Sequence, residues 1–274
     1  MSMLLGVVAG LVLGLTGAGG SIFAVPLLVL GLGWSLAEAA PVALLAVCAA
    51  ATFGTVVAWN VAYVRYRAAI LMSLAGAFTA PAGLLAAQRL PASFLSLLFA
   101  AVLCVVALRL LLQARRAPSD TRVVRATVAG NGAEAGGPLC RMHAQTGRLI
   151  WTLPCAALIA AIGAVTGFVS GLLGVGGGFV IVPALRAATP LSMHSAVATS
   201  LMAIAITSAA AVAGALVLGQ TLPWVAALPF VGGALLGMLG GRFLAPRVAG
   251  PALQSGFALA MLVVGAMMVL RAVN

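Results

Sequence analysis

Acid is what this sequence has least of. Its 274 residues include three Asp and Glu, two His and no lysine, against fourteen arginines. With only 6% charged residues the chain cannot coat a water-facing surface, for which a soluble domain uses about a quarter of its residues. The same poverty removes the usual materials of catalysis. The apolar regions hold one Glu, one His and no Asp, without a nucleophile–base pair, so no enzyme and no catalytic residue is expected. The four cysteines, Cys48, Cys104, Cys140 and Cys155, show neither C-x-x-C spacing nor a nearby histidine pair. They read as small core residues, and no metal site or cofactor is expected. No G-x4-G-K-(S/T) motif occurs, which excludes a P-loop ATP-driven pump. A basic leader and a cleavage site are also missing, so residues 3–13 read as membrane structure.

What is present is apolar: 64% of the residues, with a mean hydropathy of +1.24. Hydrocarbon is the solvent that suits such a chain. The net charge of +11 does not indicate nucleic acid. Arg115, Arg116, Arg122, Arg125, Arg141 and Arg148 fall in one polar stretch, and most of the others sit at the ends of apolar runs. That is the pattern of cytoplasmic loops in a membrane protein.

Apolar runs occur at about 3–32, 37–62, 68–88, 92–112, 149–187, 195–218, 222–245 and 251–273, and about 20 apolar residues make one crossing. The expected fold is an all-α integral membrane protein of about eight segments. Residues 1–112 form a first repeat, 113–148 a flexible cytoplasmic connector rich in Gly, Pro and Arg, and 149–274 a second repeat.

The two repeats are copies. A shift of 157 aligns Gly10, Val12, Gly14, Leu15, Gly17, Gly19, Gly20, Val25 and Pro26 with Gly167, Val169, Gly171, Leu172, Gly174, Gly176, Gly177, Val182 and Pro183. The shift later pairs Ser35 with Ser192, Leu44 with Leu201 and Gly76 with Gly233. Internal duplication of this kind marks secondary transporters, whose sites lie where the repeats meet.

The most alike segments are GLTGAGGSIFAVP (14–26) and GLLGVGGGFVIVP (171–183). Glycine clusters followed by proline should break each first segment within the membrane, which is tolerated where the backbone lines a polar cavity or is buried in protein. A new half-helix then starts near Ser21 and near Gly178. Its free N–H groups and positive dipole end suit an anion, held by Gly19, Gly20, Ser21, Gly176, Gly177 and Gly178. The competing role, close helix packing, suits Gly10, Gly14, Gly167 and Gly171.

The paired motifs G-x-G-G-(S/G)-x4-P, the two halves and the chain length resemble the TauE/SafE family of sulfite and organosulfonate exporters. The resemblance implies ATP-independent movement of sulfite, sulfoacetate, thiosulfate or related anions. The stretch Ala198-Thr199-Ser200-Leu201 is similar to a family segment and implies Thr199 and Ser200 as substrate ligands. The first half has Pro41-Val42-Ala43-Leu44 there and lacks the hydroxyls.

Glu38 invites a proton-coupling role, but Ser35-Leu36-Ala37-Glu38 is also a helix capping box. His194, in the first turn of the matching helix, suits either pH sensing or anion binding, or a plain interfacial place. Thr199, Ser200, Thr207 and Ser208 line a path or bond their own backbone.

Orientation of the repeats stays open. If all eight runs cross, the halves are parallel and the arginines divide ten against four. If each glycine-broken run is re-entrant, the halves are inverted and the division is twelve against two, which the positive-inside rule prefers. Against this, residues 149–171 are long enough to span alone. The sequence therefore points to an inner-membrane secondary exporter of a small sulfur-containing anion. A passive anion channel is the alternative, and a scaffold for a partner complex a weaker one. Its partners are the anion and the bilayer, not nucleic acid, and a homodimer is open.

Overall fold

The computed structural model describes residues 1–59, 65–116, 140, 151–189, 193–220, 222–248 and 251–273. Most of the 113–148 connector lies outside them. The described residues are helical, without strands. The helices are α1 (Ser2–Thr16), α2 (Ala24–Leu32), α3 (Leu36–Trp59), α4 (Tyr66–Arg89), α5 (Ala92–Arg116), α6 (Leu153–Leu173), α7 (Gly178–Ala188), α8 (Met193–Val217), α9 (Trp224–Val248) and α10 (Pro251–Val273). A 3-10 helix, Gly17–Phe23, joins α1 to α2. Helix α5 thus runs four residues into the stretch read as connector.

Among the described residues six helices are long and apolar enough to cross a bilayer, with spans at Leu36–Val57, Tyr66–Arg89, Ala92–Arg109, Leu153–Leu173, Ser195–Val217 and Trp224–Leu244. The apolar helices Ser2–Thr16, Gly20–Leu32 and Ser255–Leu270 are shorter. Both expected breaks occur: α1 gives way to the 3-10 helix at Gly17, and α6 ends at Leu173.

Glycine lets the helices approach closely. Helices α1 and α9 lie side by side, with Gly10 against Ala234 and Gly14 against Gly241 and Arg242. Helices α4 and α6 do the same, with Gly163 on Met72, Gly167 on Gly76 and Gly171 on Ala80. Contacts advance together along both members, so each pair is parallel. Thus the packing role holds for Gly10, Gly14, Gly167 and Gly171. Helix α2 folds back along α1, since Gly20 lies on Leu13 and Gly31 on Leu5. The first broken segment is therefore a hairpin.

Helices α3 and α8 cross antiparallel at the centre. The Cys48 thiol donates to the Ala205 carbonyl at 3.4 Å, and Gly54 meets Leu201. Helices α5 and α10 pack together at the side.

The cysteine expectation needs correction. Cys140 and Cys155 are not independent core residues but form a disulfide, with Cα atoms 5.1 Å apart. The Cys140 N–H also donates to the Ala188 carbonyl at 3.3 Å. The start of α6 and the end of α7 thus meet at one point, so this segment is a hairpin too. Spacing along the chain gave no sign of the pairing, because only the return of α7 brings these ends together.

Candidate functional site

The second glycine break is built from three left-handed residues, Gly174, Gly176 and Gly177, with φ of 72°, 75° and 68°. This backbone region is costly for residues with a side chain. Gly174 closes α6 by donating its N–H to the Ser170 carbonyl at 2.8 Å. Gly177 is the N-cap of α7 and accepts from the Val180 N–H at 3.1 Å. The first amides of α7, from Gly178 on, have no carbonyl one turn earlier within the helix. Left-handed turns of this kind gather N–H groups into an anion-binding concavity.

The turn is enclosed by neighbouring helices. A methyl group added at Gly176 would lie 2.8 Å from Val47 Cγ1, 3.1 Å from Ser208 Oγ and 3.3 Å from Ile204 Cγ2. One at Gly177 would lie 2.9 Å from the Thr166 carbonyl oxygen. Ser208 and Ser170 are fully buried, and neither hydroxyl has a hydrogen-bond partner. Buried hydroxyls are normally satisfied; that of Ser208 lies against Gly176, and Ser170 belongs to the last turn of α6 before Gly174. Thr166, by contrast, donates back to Ile162 and Gly163.

The first break differs. Gly19, Gly20 and Ser21 lie inside the 3-10 helix and are not left-handed. The i→i+3 bonding of such a helix uses amides that an open helix start would leave free, as when Ala24 donates to the Ser21 carbonyl. The α-helix starts at Ala24, three residues later than expected. Beside Gly20 and Ser21 is a cavity of about 10 Å³, lined by Leu13, Ala46, Val47, Ala50 and Ala234 among others. It has room for about one water. The 3-10 helix also packs on α7 and α8, so the two breaks adjoin, with Val47 reaching both.

Other candidate residues lie elsewhere. Thr199, fully buried, accepts from the Arg65 N–H at 3.1 Å. Ser200 donates to the Val197 carbonyl, and Thr207 to Ala203 and Ile204. Thr199 is nine positions from Ser208, so these hydroxyls sit about 13 Å apart along α8. His194 is in the first turn of α8, and its side chain lies outside the description. Glu38 forms the capping box: its carboxylate accepts from the Ser35 N–H at 3.0 Å and hydroxyl at 2.8 Å. It lies at the far end of α3 from Gly54, two positions before Ala40, the residue against which Gly174 of the second turn packs.

Sequence reasoning missed Ser170 and passed over Ser208 among four hydroxyls. It also missed Arg242, which lies inside the Trp224–Leu244 span and donates to the Gly54 carbonyl at 3.0 Å. An arginine within an apolar run was the available signal. Among the described residues no cluster of metal-ligating side chains occurs.

Six apolar helices of spanning length among the described residues mark a multi-pass membrane protein. The chain belongs to the family described as sulfite exporter TauE/SafE, whose profile matches residues 2–268. It is 30% identical over 201 residues to a "Probable membrane transporter protein" of Xylella fastidiosa strain 9a5c, covering 73% of this chain and 67% of that relative. A protein of the same description from Xylella fastidiosa strain Temecula1 is 28% identical over 253 residues, covering 89% and 83%. No solved structure matches. The chain is accordingly a membrane transporter by family.

Proposed function

We propose that this protein is a secondary transporter, not an enzyme, which exports sulfite or an organosulfonate by alternating access. The Cys48–Ala205 contact carries the reading. These residues are 157 positions apart, the offset of the sequence duplication, and they meet where α3 and α8 cross antiparallel. Equivalent residues touching across antiparallel equivalent helices are what two inverted halves produce about an axis in the membrane plane, the architecture of many secondary transporters. The exchanged pairs α1–α9 and α4–α6 fit the same symmetry. On this reading there are two inverted four-segment halves, each opening with a re-entrant hairpin.

The substrate site is the second glycine turn with Ser208 and Ser170, where amides and unspent hydroxyls suit an oxyanion. Rocking of the two halves around the central crossing exposes this turn to either side in succession. The cavity at the first break is far too small for a sulfonate, whereas a recess of about 660 Å³ lies at the central crossing, lined by Cys48, Thr52, Met202 and Ala205 among others. Inverted halves place all arginines except Arg89 and Arg271 on one face. That face, with the connector, is the cytoplasmic side of the inner membrane.

Flux in proteoliposomes tests the assignment. Saturable, counterflow-competent movement of sulfite or a sulfonate is expected. Movement no faster than in empty vesicles overturns it, and unsaturating flux without counterflow replaces the carrier by a channel.

A further inference from the structure

Resting on the transport reading, we infer that Arg242 is a substrate-binding residue, the counter-charge that meets the anion on the arginine-rich side of the first break. Arg242 lies within the apolar span of α9 and is half-buried. A long cationic side chain so placed usually reaches along its helix to the interface. Here the guanidinium instead turns sideways, and Nη1 donates to the Gly54 carbonyl of α3 at 3.0 Å.

No carboxylate of the described residues is near it. The single one, Glu38, lies sixteen positions before Gly54, about 24 Å along α3, and is engaged by Ser35. Gly54 is an amide carbonyl, a neutral partner, whereas a guanidinium pairs best with a carboxylate-like oxyanion through its fork of donors.

The position adjoins the cavity at the first break. The cavity beside Gly20 and Ser21 is walled by Ala46, Val47 and Ala50 of α3 and by Ala234 of α9. Continuing along the same faces, Met238 meets Gly54, and the next turn of α9 brings Arg242 to Gly54. The backbone N of Arg242 also lies 3.0 Å from where a side chain on Gly14 would begin, on the last turn of α1 before the break. The Arg242–Gly54 bond therefore ties α9 to α3 about one turn of α3 and two turns of α9 beyond the cavity lining. Leu201 meets Gly54 from α8, which sets Thr199 and the backbone of Arg65 at the same level. The buried Arg65 Nε has no hydrogen-bond partner. An arriving sulfur oxyanion takes Arg242 from Gly54, so binding and release of the α3–α9 tie are one event.

The device exists in one half alone. The position equivalent to Arg242 by the 157 offset is Leu85. The two faces of the carrier are consequently unequal, with tighter anion binding from the arginine-rich side.

The test is labelled sulfite flux, measured from each face, in proteoliposomes of uniform protein orientation. R242Q is expected to raise KM at the arginine-rich face at least tenfold and at the other face less than twofold, with Tm nearly unchanged. An unchanged KM, or an equal fall in flux from both faces, overturns the inference and leaves Arg242 as a helix brace. Should R242Q not fold, R242K keeps the charge but loses the fork, and a KM raised three- to tenfold at that face is expected. No change in R242K overturns the inference equally. If the wild type itself carries no sulfite, the transport reading fails and this inference with it. Wild-type flux with unaltered variants removes the inference alone.

Discussion

The two glycine breaks began as near copies, yet they fold differently. GAGGSIF at 17–23 winds into a 3-10 helix, whereas GVGGG at 174–178 makes a turn with three left-handed glycines. Their surroundings differ as well. Where the second break faces Ser170 and Ser208, the equivalent positions in the first half are Leu13 and Ala51. The second hairpin is stapled by Cys140–Cys155. The two similar motifs thus differ in the polarity of what surrounds them. On the proposed function, the anion is held by the backbone of the second break, and at the first break it meets the Arg242 side chain rather than free amides.

The sharpest way to break that comparison is Gly177→Ala. Left-handed strain of about 1–2 kcal/mol adds to overpacking of about 1–3 kcal/mol against Thr166. We expect lost transport and a clearly lower Tm. Gly219→Ala is the control, because it has φ of 77° and nothing within 4 Å, so it bears the strain alone. Equal destabilisation of the two variants would mean that the turn is not enclosed as described.

Next comes the staple. A disulfide closing a 15-residue separation is worth about 3 kcal/mol, so Cys155→Ser should lower the Tm of the oxidised protein by that measure. The same pair reports orientation. On a cytoplasmic face it is kept as thiols in growing cells, and a permeant maleimide added to them should label both cysteines. A disulfide already present in intact cells would put the arginine-rich face on the oxidising side.

Ser208→Ala should then lower flux about tenfold, or roughly 1.4 kcal/mol of barrier. Its Tm should hold or rise, because an unsatisfied buried hydroxyl is removed. The mirror change, Ala51→Ser, should leave flux within twofold. A fall in flux from Ala51→Ser as large as that from Ser208→Ala would erase the asymmetry between the breaks.

The smallest effect is at the cap. Ser35→Ala should cost about 1 kcal/mol of stability, with transport intact. Glu38→Gln in a folded protein should also transport; loss of pH-driven transport there would assign the coupling role to Glu38.

Much of the framework was legible before any contact was known. Solvent follows from composition, because 6% charge cannot satisfy a water-facing surface. The places of the two breaks follow from glycine and proline, whose backbone limits are local. The S-x-x-E cap at Ser35–Glu38 is local too, and its hydrogen bonds form.

Contacts between distant segments were beyond reach of the sequence. The Cys140–Cys155 bond, the facing of Ser208 toward Gly176 and the Arg242–Gly54 bond each join residues on different elements. Hairpin or crossing was equally undecidable, because residues 149–171 satisfy the length rule for a span whichever way α7 then turns. Sequence by itself determined the solvent and where the helices fail, both of which depend on neighbours along the chain. Tertiary structure alone decided which break is polar and which residues meet it, because close packing in a helical bundle selects partners by helix face and depth, quantities that no short window of sequence contains.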